Sequence, residues 1–252
     1  MSPSGASLAV RVHAVWKCVG VLIQVVSCLF SVAFVFPKLS ARHKEERIQA
    51  LAQALLARMA IKLIVKGEPP APGPMLLAAN HISWLDILVM LAAGHCRFVS
   101  KSEVRHWPLI GMLATGAGTL FIERESRRDA MRVVHHMAER LRAGDTLAIF
   151  PEGTTSNGVD LLPFHANLFQ AAISAHAPVQ PVALQFVDAA TGMHSLAPCY
   201  IDDDTLLGSI WRTLTAPPLC AVVTFGEPQV AQGRERRAWA ADVRSGVERL
   251  RA

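Results

Sequence analysis

A histidine and an aspartate five residues apart, His81 and Asp86, stand in the segment Asn80-His81-Ile82-Ser83-Trp84-Leu85-Asp86, directly after the apolar run MLLAA at 75–79. A histidine with one ring nitrogen held by a carboxylate has its tautomer fixed, and its other nitrogen can take a proton as a general base. In a continuous helix, positions five apart point roughly 140° from one another. The pair therefore converges only if His81 sits on a strand-end turn and Asp86 in the first turn of the following helix. Ser83 would then be the N-cap and Asp86 the N3 residue. A nucleophile is missing from the pair, and an incoming substrate hydroxyl can fill that role. A second reading of the same residues needs no chemistry: Ser83-x-x-Asp86 fits a capping box, and His81 an ordinary turn histidine.

Two further segments carry polar groups at strand ends. Phe150-Pro151-Glu152-Gly153-Thr154-Thr155-Ser156 follows the apolar run at 147–150. Its Pro and Gly impose a tight turn, and its Glu, Thr and Ser can meet a polar ligand. In Gly118-Thr119-Leu120-Phe121-Ile122-Glu123-Arg124 a short strand delivers Arg124 at its end. The planar guanidinium fork suits a phosphate. Arg127 and Arg128 just beyond are read as surface charges.

These groups need a scaffold. Short apolar runs at 75–79, 97–100, 119–122, 147–150, 179–187 and 220–225 predict strands, with helical stretches at 84–94, 126–143 and 165–176 between them. That alternation predicts an α/β fold, a mixed and largely parallel sheet flanked by helices. Upstream, the uncharged run from Cys18 to Phe36 would form a helix about 28 Å long, near the hydrocarbon thickness of a bilayer. Cationic residues flank both its ends, so charge gives no orientation. No small-residue cleavage site follows it, which disfavours a cleaved signal peptide. Gln24, Ser27 and Ser31 interrupt the run, so lying in one leaflet is as open as spanning. Ile48, Leu51, Leu55, Met59 and Leu63 recur at helical spacing, predicting a second helix over 44–65. The breaker GEPPAPGP (67–74) then reads as a hinge. The expected organisation is an N-terminal membrane-associated helical hairpin (1–66) and a catalytic domain (67–252). Residues 229–252 read as a basic helical tail of no evident function.

Composition agrees with a membrane element. Of 252 residues, 52% are hydrophobic, and mean hydropathy is +0.31 with a pI near 9.2. The net charge of +5 suits an anionic lipid surface or an acidic substrate. With one tyrosine and 6% aromatics, platforms for stacking bases are sparse, which argues against nucleic acid. Five cysteines without a Cys-x-x-Cys pair argue against a disulfide framework or a zinc site.

The order His-x4-Asp (81–86), Phe-Ile-x-Arg (121–124), Pro-Glu-Gly-Thr (151–154), then the apolar Val179-Gln180-Pro181-Val182-Ala183-Leu184, resembles the glycerolipid acyltransferase family, in its 1-acylglycerol-3-phosphate acyltransferase branch. Lys101-Ser102-Glu103 and Trp107-Pro108-Leu109-Ile110-Gly111 look like that family too, and the likeness spans about residues 65–230. The resemblance implies that His81 and Asp86 are catalytic. It implies that Arg124, Glu152, Gly153, Thr154 and Lys101 bind substrate, with Glu152 orienting Arg124 or accepting from a hydroxyl. It further implies a lysophospholipid acceptor, an acyl-CoA or acyl-carrier protein co-substrate, no metal or other cofactor, and a catalytic domain on the cytoplasmic face of the inner membrane. Backbone N–H groups of the 81–86 turn or the 152–154 loop are candidate oxyanion donors. One departure concerns the acceptor. Where the family often has Phe-Lys-x-Gly-x-Phe, this chain has Phe164-His165-Ala166-Asn167-Leu168-Phe169. That opens a lyso-ornithine lipid or another lysolipid as acceptor, with His165 read as either a polar contact or a helix-surface residue. Two other classes compete. One is a non-catalytic lipid-binding protein on the same fold, against which the intact His81 and Asp86 count. The other is a serine hydrolase or thioesterase acting on similar acyl substrates, against which the lack of a Gly-x-Ser-x-Gly elbow counts.

Overall fold

The computed structural model describes residues 8–122 and 127–252, without the side chains of 8–11 and 127–130. Its strands are β1 (Ile61–Lys66), β2 (Met75–Ala79), β3 (Arg97–Lys101), β4 (Leu120–Ile122), β5 (Thr146–Ile149), β6 (Val179–Asp188) and β7 (Leu219–Phe225). They form one sheet in the order β1-β7-β6-β2-β5-β3-β4. Every neighbouring pair is parallel except β6 with β7. The helices are α1 (Leu8–Phe30), α2 (Ala41–Arg58), α3 (Leu85–Ala93), α4 (Ile110–Gly116), α5 (Arg127–Arg142), α6 (Phe169–Ala175), α7 (Leu206–Thr215) and α8 (Arg236–Arg251).

The central strands β2 and β5 are buried along their whole length because both sheet faces are covered there. Side chains alternate across a strand, and β2 shows the result. Met75, Leu77 and Ala79 enter a core shared with α2, α3 and α7. Leu76 and Ala78 enter a second core shared with α5, α6 and α8. The six sequence-predicted strands and the three helices between them are all present, and the predicted α/β class holds.

Two expectations need correction. The helix predicted over 44–65 stops at Arg58, and Ile61–Lys66 is an edge strand paired with β7. Leu63 misled because a four-residue helical step is also two steps of a strand. Ile61, Leu63 and Val65 form the alternating set, and the turn before them places Ala60 at φ +58°. The breaker at 67–74 is thus a loop joining β1 to β2 inside the sheet. Gly67 anchors its start, since with φ +70° a Cβ there would lie 2.1 Å from the Phe225 carbonyl oxygen. A boundary at 66/67 cuts β1 from the sheet it belongs to; the sheet begins at Ile61.

The second correction concerns the tail. Helix α8 buries Trp239, Ala240, Val243 and Val247, while its arginines face outward or clasp a loop. Trp239 lies edge-on to Phe169 with ring centroids 6.3 Å apart, and the Arg234 guanidinium sits over its ring, 5.8 Å from the centroid. Trp239→Ala should therefore destabilise the domain by about 3–5 kcal/mol. Denaturant unfolding of the detergent-solubilised protein measures this, and a loss under about 1 kcal/mol would return α8 to the status of an appendage.

Residues Val12–Lys38 are, among those described, the one stretch long and apolar enough to cross a membrane. One side of α1 is not available to lipid. Ala14 and Cys28 are buried, the Lys17 ammonium reaches the Leu214 carbonyl of α7 at 3.4 Å, and Gly20 lies on Arg58 of α2. Val12, Val15, Trp16, Val19, Leu22, Ile23, Val26 and Phe30 form an exposed stripe along the other side.

Candidate active site

Because β2, β3, β4 and β5 are parallel, their carboxyl ends share one edge of the sheet, where open α/β sheets place ligands. His81 follows β2 and Glu152 follows β5, its immediate neighbour. Asn80 first extends the β2–β6 ladder past the strand end. Its side chain donates to the Leu184 carbonyl at 3.0 Å and accepts from the Leu184 N–H at 2.7 Å. The His81 backbone is then tied to the β5 side: its N–H donates to Glu152 Oε1 at 2.7 Å, and its carbonyl accepts from the Ser156 N–H at 2.9 Å.

The predicted convergence of His81 and Asp86 is present. Nδ1 of His81 lies 2.7 Å from Asp86 Oδ2, which also accepts from the Ile82 N–H at 2.6 Å and the Ser83 N–H at 2.9 Å. One carboxylate oxygen thus holds both the His81 ring and the two backbone N–H groups just ahead of the helix. The helix starts at Leu85 with Trp84 as N-cap, which makes Asp86 N2 instead of the expected N3. Ser83 Oγ accepts from the Leu85 N–H at 3.3 Å. An aspartate oxygen only accepts, so Nδ1 carries the proton and Nε2 presents a lone pair. Asp86 is fully buried and the His81 side chain is 19% exposed. The imidazole stacks on Phe150 at 4.0 Å between centroids and 7° between planes, which fixes the ring against rotation.

Glu152 is buried, and its second oxygen accepts from the Leu162 N–H at 2.9 Å. Burial pushes its carboxyl above the usual glutamate range, against the pull of the His81 and Leu162 N–H bonds. Both oxygens thus hold backbone, joining the histidine turn to the 158–162 loop. Gly153 and Thr154 are exposed at the tip of the turn. Gly153 has φ +76°, and a Cβ there would come within 2.9 Å of the His165 ring. His165 is exposed but borders this loop, with its N–H on the Pro151 carbonyl at 2.7 Å. Lys101 is exposed at the end of β3, in register with Ile122 of β4. Arg124 lies outside the described residues, and the side chains of Arg127 and Arg128 are likewise undescribed.

The amides of the 81–86 turn are committed inward: those of His81, Ile82, Ser83, Leu85 and Asp86 all donate within the protein. That removes most of the turn as a source of oxyanion donors.

Several supporting residues gave no recognisable signal in the sequence. The Tyr200 N–H donates to the Ile82 carbonyl at 3.1 Å, and the Tyr200 carbonyl accepts from Thr155 Oγ1. Arg212 of α7 holds that strap through the Ala197 and Cys199 carbonyls and both oxygens of Asp204. From α8, Arg251 reaches the Gly158 and Val159 carbonyls, and Arg244 those of Leu161 and Leu162. Apart from the Arg212–Asp204 ion pair, these contacts end on backbone groups, which any sequence supplies.

The fold and site define an α/β domain with a carboxylate-held histidine at the carboxyl edge of a parallel sheet. Residues 61–185 match the family described as Acyltransferase. The chain is 40% identical over 185 residues to a 1-acyl-sn-glycerol-3-phosphate acyltransferase of Neisseria gonorrhoeae, covering 73% of this chain and 72% of that protein. It is also 40% identical over 193 residues to a lyso-ornithine lipid O-acyltransferase of Pseudomonas aeruginosa, covering 77% and 73% of the two. The crystal structure of the 1-acyl-sn-glycerophosphate acyltransferase of Thermotoga maritima superposes with a TM-score of 0.68 at 20% identity, over 97% of this chain and 98% of that one, so the fold is shared end to end. The chain belongs to the acyltransferase family and is an enzyme of that class.

Proposed function

We propose that the enzyme moves a fatty acyl chain from an acyl thioester, on coenzyme A or acyl-carrier protein, to the free hydroxyl of a lysophospholipid. The first-choice acceptor is 1-acyl-sn-glycerol-3-phosphate, giving phosphatidic acid. The observation that carries this reading is the 2.7 Å contact between His81 Nδ1 and the buried Asp86, which leaves Nε2 as the base. Nε2 takes the hydroxyl proton as the acceptor oxygen attacks the thioester carbonyl. The tetrahedral intermediate collapses with loss of the thiolate, which takes the proton back from His81. Asp86 stabilises the imidazolium in between. The oxyanion donor falls to the 152–154 loop, where the Thr154 N–H has no acceptor among the described residues. Lys101, at the end of β3, and Arg124, two residues beyond β4 in sequence, are assigned to the acceptor phosphate.

The exposed stripe of α1 suits one leaflet, with the packed side holding the domain against the surface. A cytoplasmic location follows from the soluble thioester donors.

A second acceptor, lyso-ornithine lipid, is favoured by His165 at the family's Lys position, next to Gly153, and by the likeness to the Pseudomonas aeruginosa enzyme. An acceptor panel in mixed micelles with labelled acyl-CoA and acyl-carrier protein decides. Lysophosphatidic acid should be acylated at least about tenfold more efficiently than lyso-ornithine lipid. The opposite order reassigns the head group, and release of free fatty acid alone would make the protein a thioesterase.

A further inference from the structure

Between β3 and α4 the chain exposes a compact apolar knob. Trp107 is 52% exposed, Leu109 53% and Met112 48%, with Ile110 beside them. Isolated exposed apolar residues need no explanation, but a contiguous group of large ones marks an interaction surface. Here the backbone is bent to make it. Leu109 has φ +63° and ψ −50°, and the Ile110 N–H closes onto the Pro108 carbonyl at 2.7 Å. This is the strained form of the three-residue γ-turn, in a position an L side chain rarely adopts. Gly111 makes the turn possible, because a Cβ there would lie 2.1 Å from the Arg105 carbonyl oxygen. The exposed cations Lys101 and Arg105, with Glu103 between them, precede the knob.

The knob continues the apolar surface of α1. Gly116 of α4 is pressed on Val32, and Leu113 packs in the cluster of Cys28, Phe36 and Leu51. Phe30 and Phe34, two residues to either side of Val32 in sequence, are exposed.

We propose that Trp107–Met112 is a second bilayer contact, seated in the headgroup region of an anionic leaflet beside α1. An aromatic and aliphatic tip backed by cations fits that boundary better than a soluble partner. One contact along α1 leaves the domain free to roll about the helix axis; a second contact off that axis fixes the roll. Since β3 ends at Lys101, just ahead of the knob, this would hold the carboxyl edge of the sheet at a set depth. The inference rests on the reading of α1 as lipid-facing, and the test separates the two.

In a Cys18→Ser background, a polarity-sensitive fluorophore is attached at Leu109→Cys or, as a control, at Val26→Cys. The full chain is reconstituted into vesicles of phosphatidylglycerol with phosphatidylethanolamine, or of phosphatidylcholine alone. Lipid-borne nitroxide should quench both positions in the anionic vesicles, with quenching at 109 at least about twofold weaker in phosphatidylcholine. Quenching at 26 but iodide access at 109 overturns the second contact and leaves the α1 reading standing. Iodide access at both overturns both. Shielding of 109 from both quenchers means a protein covers it, and also overturns the proposal. As a functional arm, Trp107→Ser/Leu109→Ser should slow acylation of vesicle-borne acceptor at least about fivefold while sparing micellar acceptor, because its effect lies in membrane placement. Equal loss in both settings counts against it.

Discussion

His81→Ala should lose at least about a thousandfold in kcat, equivalent to roughly 4 kcal/mol of transition-state stabilisation, while the folded protein persists. The geometry explains both halves. In the proposed mechanism the imidazole is the base, so its loss leaves the acceptor hydroxyl without one. The residue's structural bonds, to Glu152 and Ser156, run through its backbone and survive the substitution. What changes for the fold is the lost stacking on Phe150 and one fewer donor on Asp86, which keeps the Ile82 and Ser83 N–H groups. Asp86→Ala should differ: it removes the acceptor for those two amides as well as for the ring, so activity and stability fall together. Single-turnover transfer of labelled acyl-CoA, run beside thermal unfolding, reads the two effects separately. Retention of near-wild-type turnover by a folded His81→Ala protein would remove the proposed mechanism.

The His81–Asp86 contact was legible because spacing and element type constrain it from both sides. A strand must end before Asn80, a helix must begin near Leu85, and only a non-helical turn between them lets positions five apart meet. The interior strands were legible for a related reason: burial on both faces makes them short continuous apolar runs. The edge strand β1 lacked that signature. Half its residues face outward, with Lys62 and Lys66 among them, and its apolar positions fall in phase with the preceding helix. Glu152 was legible as important but not in its role. A glutamate in a turn after a strand suggests a ligand, and nothing in its neighbours reveals that its carboxylate turns inward onto two amides, one 71 residues earlier in sequence. The straps from Tyr200, Arg212 and Arg251 were silent for the same reason: apart from the Arg212–Asp204 ion pair they end on backbone and leave no side-chain pattern.

That inward turn separates two accounts of Glu152. If it binds the acceptor, Glu152→Ala should raise the acceptor KM and leave kcat and stability nearly unchanged. If it positions the base, as its contacts indicate, the substitution strands the N–H groups of His81 and Leu162 in a buried site. Each costs about 1–3 kcal/mol, so stability should drop by roughly 2–6 kcal/mol. The histidine turn would loosen from β5, and kcat should fall about 10- to 100-fold with the acceptor KM within about threefold of wild type. Glu152→Gln tests this more finely. Its carbonyl can still accept from one amide, but its NH2 group faces the other, so it should retain part of both stability and turnover. The pH dependence adds a sign. Burial holds the Glu152 pKa above its unfolded value, so its favourable share of stability is full below the ordinary glutamate range and is lost as pH rises through the folded-state value. Glu152→Gln has no such group, and its deficit relative to wild type should narrow from acid towards neutral pH. A deficit that widens over that range, or a rise in KM without loss of kcat, would place the carboxylate on the substrate instead of on the backbone of His81.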